Sequence, residues 1–150
     1  MYSRVLGVIG TTEDVADAQL AADVVEESLF KTSLNNYQQL NDSAAKYKFV
    51  KLIVGELGDQ PDKLKWLEGL RQELKGVSVV RLAVAHELTM LAVGKVVGWL
   101  KDNVGMGVVV EWETDSGLLG GLVVTYSGRI TDLSLKTRLA EYWDKYDGRT

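Results

Sequence analysis

Three residues of this chain carry side chains that hydrolytic chemistry uses: His86 as a base, Ser134 as a nucleophile and Asp132 as an orienting acid. Their sequence context argues for other roles. His86 is the only histidine, and a nucleophilic or metal site needs more partners than His86-Glu87 supplies. It falls at a strand-to-helix corner, where an imidazole commonly satisfies a backbone carbonyl. Asp132 and Ser134 stand one residue apart just before an amphipathic stretch. That is the arrangement of helix capping, in which short side-chain oxygens accept from the free N–H groups of the first turn. Gly120-Gly121 invites comparison with a phosphate-cradling loop, but such a loop joins a strand to a helix and usually brings a Lys. Here the pair precedes a strand and no Lys-Ser/Thr follows. A bulge or a tight approach of two backbones is the expected role. These residues imply no catalytic site, no cofactor and no metal.

Three further features bear on partners. Gly94-x-x-x-Gly98 is a dimer motif only inside lipid; in a soluble helix it is expected to let the helix lie close to a sheet. Glu13, Asp14, Asp17, Asp23, Glu26 and Glu27 crowd residues 12–30 with no base among them. They form either a solvated face or a docking strip for a basic partner helix. Tyr142 and Tyr146 share a helical face while Trp143 lies about 100° away, so the three cannot all enter a small core. Large aromatics left over in this way are typical of partner surfaces.

Composition sets the frame. At 150 residues the chain holds one domain or two small ones, and 46% hydrophobic with 25% charged residues is ordinary for a globular protein. A net charge of −4 argues against general nucleic-acid binding, which needs a positive surface. Zero cysteines exclude disulfides and thiolate metal sites. The longest apolar stretch, Leu88 to Leu100, is broken by Thr89, Gly94, Lys95 and Gly98, and no run approaches the roughly 20 residues of a membrane span. Met1 to Gly10 is too weakly apolar for a secretory signal.

The elements follow from periodicity. Thr12 is the expected cap of a helix over 12–30, with Val15, Ala18, Ala22, Val25 and Leu29 as its apolar seam. Residues 31–42 are polar, a short helix or loop. Ser43 is placed to cap a helix ending at Leu57, with Tyr47, Val50, Val54 and Leu57 inward. Gly58-Asp59-Gln60-Pro61 stops it, and Asp62 to Lys75 restarts with Leu64, Leu67, Leu70 and Leu74. Past Gly76 the character changes. Residues 77–84 are β-branched, 88–102 helical with Leu88, Leu91, Val96 and Leu100 inward, and 108–113 alternate. Leu122 to Tyr126 is a half-buried strand, Ser127-Gly128 a turn, Arg129 to Asp132 its return, and Ser134 opens a helix whose stripe is Leu135, Leu139, Tyr142 and Tyr146. The expected fold is α+β: an N-terminal helical bundle, 1–75, followed by a small β-α-β-β-β-α module, 76–150.

Residues 115–146, with Gly120-Gly121, an apolar strand, a small turn and Asp132-x-Ser134 leading into a basic helix start, resemble the end of the ATP synthase delta subunit. The mitochondrial counterpart of that family is the oligomycin-sensitivity-conferring protein. Gly120, Gly121, Asp132, Ser134, Lys136, Arg138 and Leu139 keep the pattern; Thr125 stands where the family usually has Arg, and Leu133 where it usually has Gly. The likeness extends more loosely back to about Val77. The family's bundle has six helices, whereas 75 residues hold four or five at about 12 residues per helix.

The resemblance implies a non-catalytic peripheral-stalk subunit of a rotary ATP synthase, held at the cytoplasmic face of the cell membrane without inserting. Its bundle would grip N-terminal helices of alpha subunits, and its C-terminal part the C-terminal end of the b-subunit stalk, so that the catalytic head does not turn with the rotor. On this chain the alpha-facing grooves are expected near Val15, Ala18 and Ala22 and near Tyr47, Val50 and Val54, with Leu139, Tyr142 and Trp143 near the stalk. The rivals are an unrelated soluble adaptor, and a small hydrolase using Asp132, Ser134 and His86.

Overall fold

The computed structural model describes residues 2–30 and 48–147. The chain divides into two compact units: Met1–Val77 with Gly105–Gly107, and Ser78–Val104 with Val108–Thr150. The expected cap Ser43, the inward-facing Tyr47 and the polar stretch 31–42 lie outside the described residues.

In the first unit α1 (Ser3–Val8), α2 (Thr12–Phe30), α3 (Lys48–Leu57) and α4 (Lys63–Lys75) pack as helices, with α2 against both α3 and α4, and α1 against α3. α1 has no counterpart among the expected elements; it is a turn and a half that buries only Val5. The core is built from Ala18, Ala21, Ala22 and Val25 of α2, Phe49, Val50, Ile53 and Leu57 of α3, and Trp66, Leu67, Leu70 and Leu74 of α4. Small alanines on α2 face large side chains on its neighbours, which lets the helix axes approach. Two expected positions differ. Val54 is 40% exposed because the bulkier Phe49 and Ile53 take the inward side of α3, and Leu64 is 44% exposed in the first turn of α4.

The start of α2 is a reciprocal cap set one residue earlier than the expected Thr12. The Thr11 hydroxyl accepts from the Asp14 N–H at 3.1 Å, and the Asp14 carboxylate accepts from the N–H groups of Thr11 at 3.2 Å and Gly10 at 2.9 Å. Lys48 of α3 also binds this carboxylate. Burial pushes the Asp14 carboxyl up, but the Lys48 ammonium and the Gly10 and Thr11 N–H groups outweigh it, so it sits below the usual range. The acidic run is therefore neither a bare solvated face nor a free strip. Asp14 holds Lys48, while Asp23 at 2.6 Å and Glu26 both hold Arg71 of α4, tying α2 to its two neighbours.

The second unit is a four-stranded mixed sheet in the order β2-β1-β3-β4. Its strands are β1 (Ser78–Val84), β2 (Val108–Thr114), β3 (Leu122–Tyr126) and β4 (Arg129–Asp132); α5 (Met90–Asn103) joins β1 to β2, and α6 (Leu135–Asp147) follows β4. β1 runs parallel to β2 and antiparallel to β3. A parallel neighbour demands a crossover, and α5 supplies it. Leu82 stands opposite Trp112 on one side and Val124 on the other, so alternate residues of three strands share a face. That face carries Val80, Leu82, Val84, Val108 and Val110, with Trp112, Leu122, Val124 and Tyr126 at its margin, and α5 covers it with Val96, Val97 and Leu100. Ser127 (φ 49°) and Gly128 (φ 75°) form the hairpin turn, both with the positive φ that matches the strand twist. The α+β expectation holds, helices first and the sheet module after.

α5 is rotated relative to its sequence reading. Leu91 is 72% exposed and Val93 is buried in its place. Gly94 and Gly98 are exposed, with open space where a Cβ would stand, so they do not let the helix approach the sheet. Val93, Val96, Val97 and Leu100 claim the inward side because four branched side chains bury more area than Leu91 with two glycines.

Removing the reciprocal cap tests the bundle. Thr11→Ala is expected to cost about 1 kcal/mol in urea unfolding. A carboxyl held below its unfolded value contributes stability that is whole above about pH 4 and lost as pH falls through the folded value. Asp14→Asn should therefore give a shallower decline of stability below about pH 4 than the parent chain; an unchanged acid limb would remove Asp14 from this role.

Candidate functional site: the corner between β3 and α6

Gly120, Gly121, Asp132 and Ser134 meet at one corner. A Cβ on Gly121 would lie 2.3 Å from the carbonyl oxygen of Leu133, and the residue adopts φ +77°. A side chain there would be both strained and blocked, so glycine is required. The approach is held by backbone hydrogen bonds on either side: Leu133 N–H donates to the Leu122 carbonyl at 2.9 Å, and Leu135 N–H to the Gly120 carbonyl at 2.8 Å. The second bond means that a free N–H at the start of α6 is satisfied by the entry to β3. A three-residue 3₁₀ turn, Ser116–Leu118, leads in, and Leu119 beyond it is left-handed at φ 63°.

The acid and the serine complete the cap. Asp132 accepts from the Ser134 N–H at 2.8 Å and from the Thr137 hydroxyl at 2.7 Å, while the Ser134 hydroxyl accepts from the Thr137 N–H at 3.3 Å. Ser134 is fully buried. Ser134 first, and then Thr137, hold the Asp132 carboxyl below its usual range. Both side chains are thus committed to backbone and cap. His86 is exposed and makes no hydrogen bond among the described residues, so the carbonyl partner expected of it is absent there. Nothing in these contacts assembles a nucleophile with a base. No cluster of three metal-ligating side chains occurs among the described residues.

Beyond its anchored first turn, α6 buries nothing. Its apolar stripe lies open, Leu135 at 45%, Leu139 at 40%, Tyr142 at 52% and Tyr146 at 53%, and so does Trp143 on its flank at 62%. Tyr142 stacks on Tyr146 with ring centroids 4.4 Å apart and meets Trp143 edge-on at 6.0 Å. The aromatics therefore pack on one another along the helix rather than into a core. The Tyr146 hydroxyl, and secondarily partial desolvation, hold the Tyr142 phenol above its usual range.

The bundle residues expected to form a groove behave differently. Ala18, Ala22 and Val50 are closed off from solvent, at 0%, 0% and 1% exposure, and serve as interhelical packing. Val15 is half-buried and Val54 exposed, and Tyr47 lies outside the described residues. Two other concavities went unnoticed in the sequence, because each is assembled from separated segments. One, of about 530 Å³, lies on the sheet face opposite α5, where Arg81 pairs with Glu111 at 3.0 Å beside Glu113 and Thr125. The other, of about 570 Å³, lies beside the Tyr2 and Trp66 rings and Pro61.

Comparison with known proteins bears on the same residues. The family model of the ATP synthase delta (OSCP) subunit matches residues 12–145. ATP synthase subunit delta of Alkalilimnicola ehrlichii is 30% identical over 146 residues, covering 93% of this chain and 80% of that protein. The subunit delta of Mesorhizobium japonicum is 35% identical over 79 residues, 53% of this chain and 42% of the relative. That of Desulforapulum autotrophicum is 40% identical over 70 residues, 47% of this chain and 38% of the relative. The matches to the last two thus span about two fifths of those relatives' lengths.

The glycine pair separates two kinds of constraint. Gly121→Ala should destabilise the sheet unit by at least about 2 kcal/mol. Gly120→Ala, whose Cβ would meet Leu135 at a tolerable 3.4 Å, should cost about 1 kcal/mol or less. Equal losses in thermal unfolding would contradict the close approach at Gly121.

Proposed function

The chain belongs to the ATP synthase delta (OSCP) subunit family, and from that premise we propose that it is a non-catalytic peripheral-stalk subunit joining the catalytic head of a rotary ATP synthase to the b-subunit stator. The observation that carries the reading is α6: a helix with five large apolar side chains exposed and no buried residue. A helix of 13 residues is marginal alone in water, and it keeps its apolar face dry only by docking. Mechanically, a clamp needs two separate grips. The sheet unit offers α6, with Leu139, Tyr142 and Trp143, to the C-terminal end of the b subunits. The helical unit offers the N-terminal helices of alpha subunits the half-buried Val15 and the exposed Val54, on helices whose Ala18, Ala22 and Val50 are buried.

Holding the head against the rotor makes torque available for nucleotide chemistry without any reaction in this chain. Asp132 and Ser134, the side chains a hydrolase would need, are spent on the α6 cap. No helix among the described residues is long and apolar enough to cross a membrane. The place proposed for the chain, the cytoplasmic face of the cell membrane, is therefore reached through its partners.

Titrating the chain with an N-terminal alpha-subunit peptide and, separately, with the C-terminal segment of the b subunit from the same source tests both grips. Saturable binding of each at micromolar Kd or tighter, about −8 kcal/mol, is the expected result. A folded chain, verified by circular dichroism, that binds neither would overturn the stator reading in favour of an unrelated adaptor.

A further inference from the structure

The apolar positions of α6, Leu135, Leu139, Tyr142 and Tyr146, are separated by four, three and four residues. That is the a/d alternation of a coiled-coil seam, narrower than the face of a helix that lies on a sheet. Projecting the sequence at 100° per residue places Arg138 and Lys145 together along one flank of this seam, and Lys136 with Trp143 along the other. These are the e and g positions, which choose a coiled-coil partner. Glu141 and Asp144 fall on the far side. The helix is thus sorted by sign around its axis: apolar seam, basic shoulders, acidic back. Neither Arg138 nor Lys145 forms an ion pair among the described residues.

We infer that α6 is one strand of a short heterotypic coiled coil whose other strand is an amphipathic helix carrying Asp or Glu on both shoulders of its own apolar seam. This rests on the stator reading and specifies its stalk grip: the mode is a two-heptad zipper, and the partner is chosen by charge. A second copy of this chain is disfavoured, since pairing two α6 helices would bring basic shoulders together. A lipid surface is disfavoured as well. Three bases and three acids leave α6 neutral, whereas helices that lie on membranes carry a basic polar face and gain from anionic headgroups.

The test uses the full chain and the C-terminal segment of the b subunit, read through Trp fluorescence at low and high salt. Arg138→Glu/Lys145→Glu is expected to weaken binding about tenfold or more, and raising salt to weaken the parent complex. Exchanging the shoulder acids of the b segment for Lys should restore affinity to the doubly reversed chain. Tyr142→Ala should weaken binding without altering the thermal unfolding of the sheet unit, because α6 buries none of its residues. A parent chain that binds while the double reversal and Tyr142→Ala bind equally well would overturn this inference and leave the stator reading intact. A parent chain that does not bind the segment removes the stalk grip and the inference together. Binding to phosphatidylserine-containing vesicles that the double reversal abolishes would assign α6 to lipid. A concentration-dependent dimer in sedimentation, lost in Leu139→Ala, would assign it to a second copy.

Discussion

A backbone carbonyl occupies the space where residue 121 would otherwise carry a side chain. Because Leu133 approaches Gly121 so closely, the chain entering β3 and the chain leaving β4 are pinned together, and the hydrogen bond from Leu135 to Gly120 extends that pin into the first turn of α6. The helix direction is therefore set by the sheet through main-chain contacts, with Asp132, Ser134 and Thr137 closing the cap around it. An element held this way has no need of a buried face to know where to point. That separation between anchoring and surface leaves the whole apolar stripe of α6 available for a partner.

The two units distribute polar chemistry differently. In the bundle, Lys48 and Arg71 cross between helices to acids on α2, and a reciprocal cap starts that helix, so charge is used to fix packing. In the sheet unit the core is nearly apolar, Ser134 being the buried polar exception among the described residues. Such surface pairs each contribute at most about 1 kcal/mol; their value lies in registering α2 against α3 and α4, while buried side chains such as Phe49, Ile53, Leu67 and Leu70 contribute about 1.5–3 kcal/mol each.

Local patterns in the sequence proved reliable where one side chain dominates its neighbourhood. Ser127-Gly128 marks its turn, Asp132 and Ser134 mark a cap, and the alternation of β3 marks a strand with one inward face. Helix faces are less legible. Val54 and Leu91 fit apolar periodicities on paper, but Phe49 with Ile53, and Val93 with Val97, compete for the inward side and fill it better. Periodicity gives a stripe its spacing; which of two adjacent stripes turns inward depends on volumes across the interface, which a single chain does not encode locally. Alanines carry a similar ambiguity. Ala18 and Ala22 are closed off from solvent, a degree of burial that the sequence pattern does not fix. Thr11 and Thr12 are chemically alike as helix caps, and Asp14 folding back on Gly10 and Thr11 tells them apart.

The last strand of the sheet has a bearing on solubility. β4 lies at the margin of the sheet, and an open margin is a row of unpaired amides and carbonyls onto which a foreign strand can add. Here that row is only four residues long, flanked by Arg129 and Asp132, and it ends at once in the cap of α6. A chain that displays Leu139, Tyr142, Trp143 and Tyr146 runs the risk of sticking to itself. Shortening the margin at β4 narrows one route by which it would do so, beside the seven-residue margin at β2 and the exposed helix.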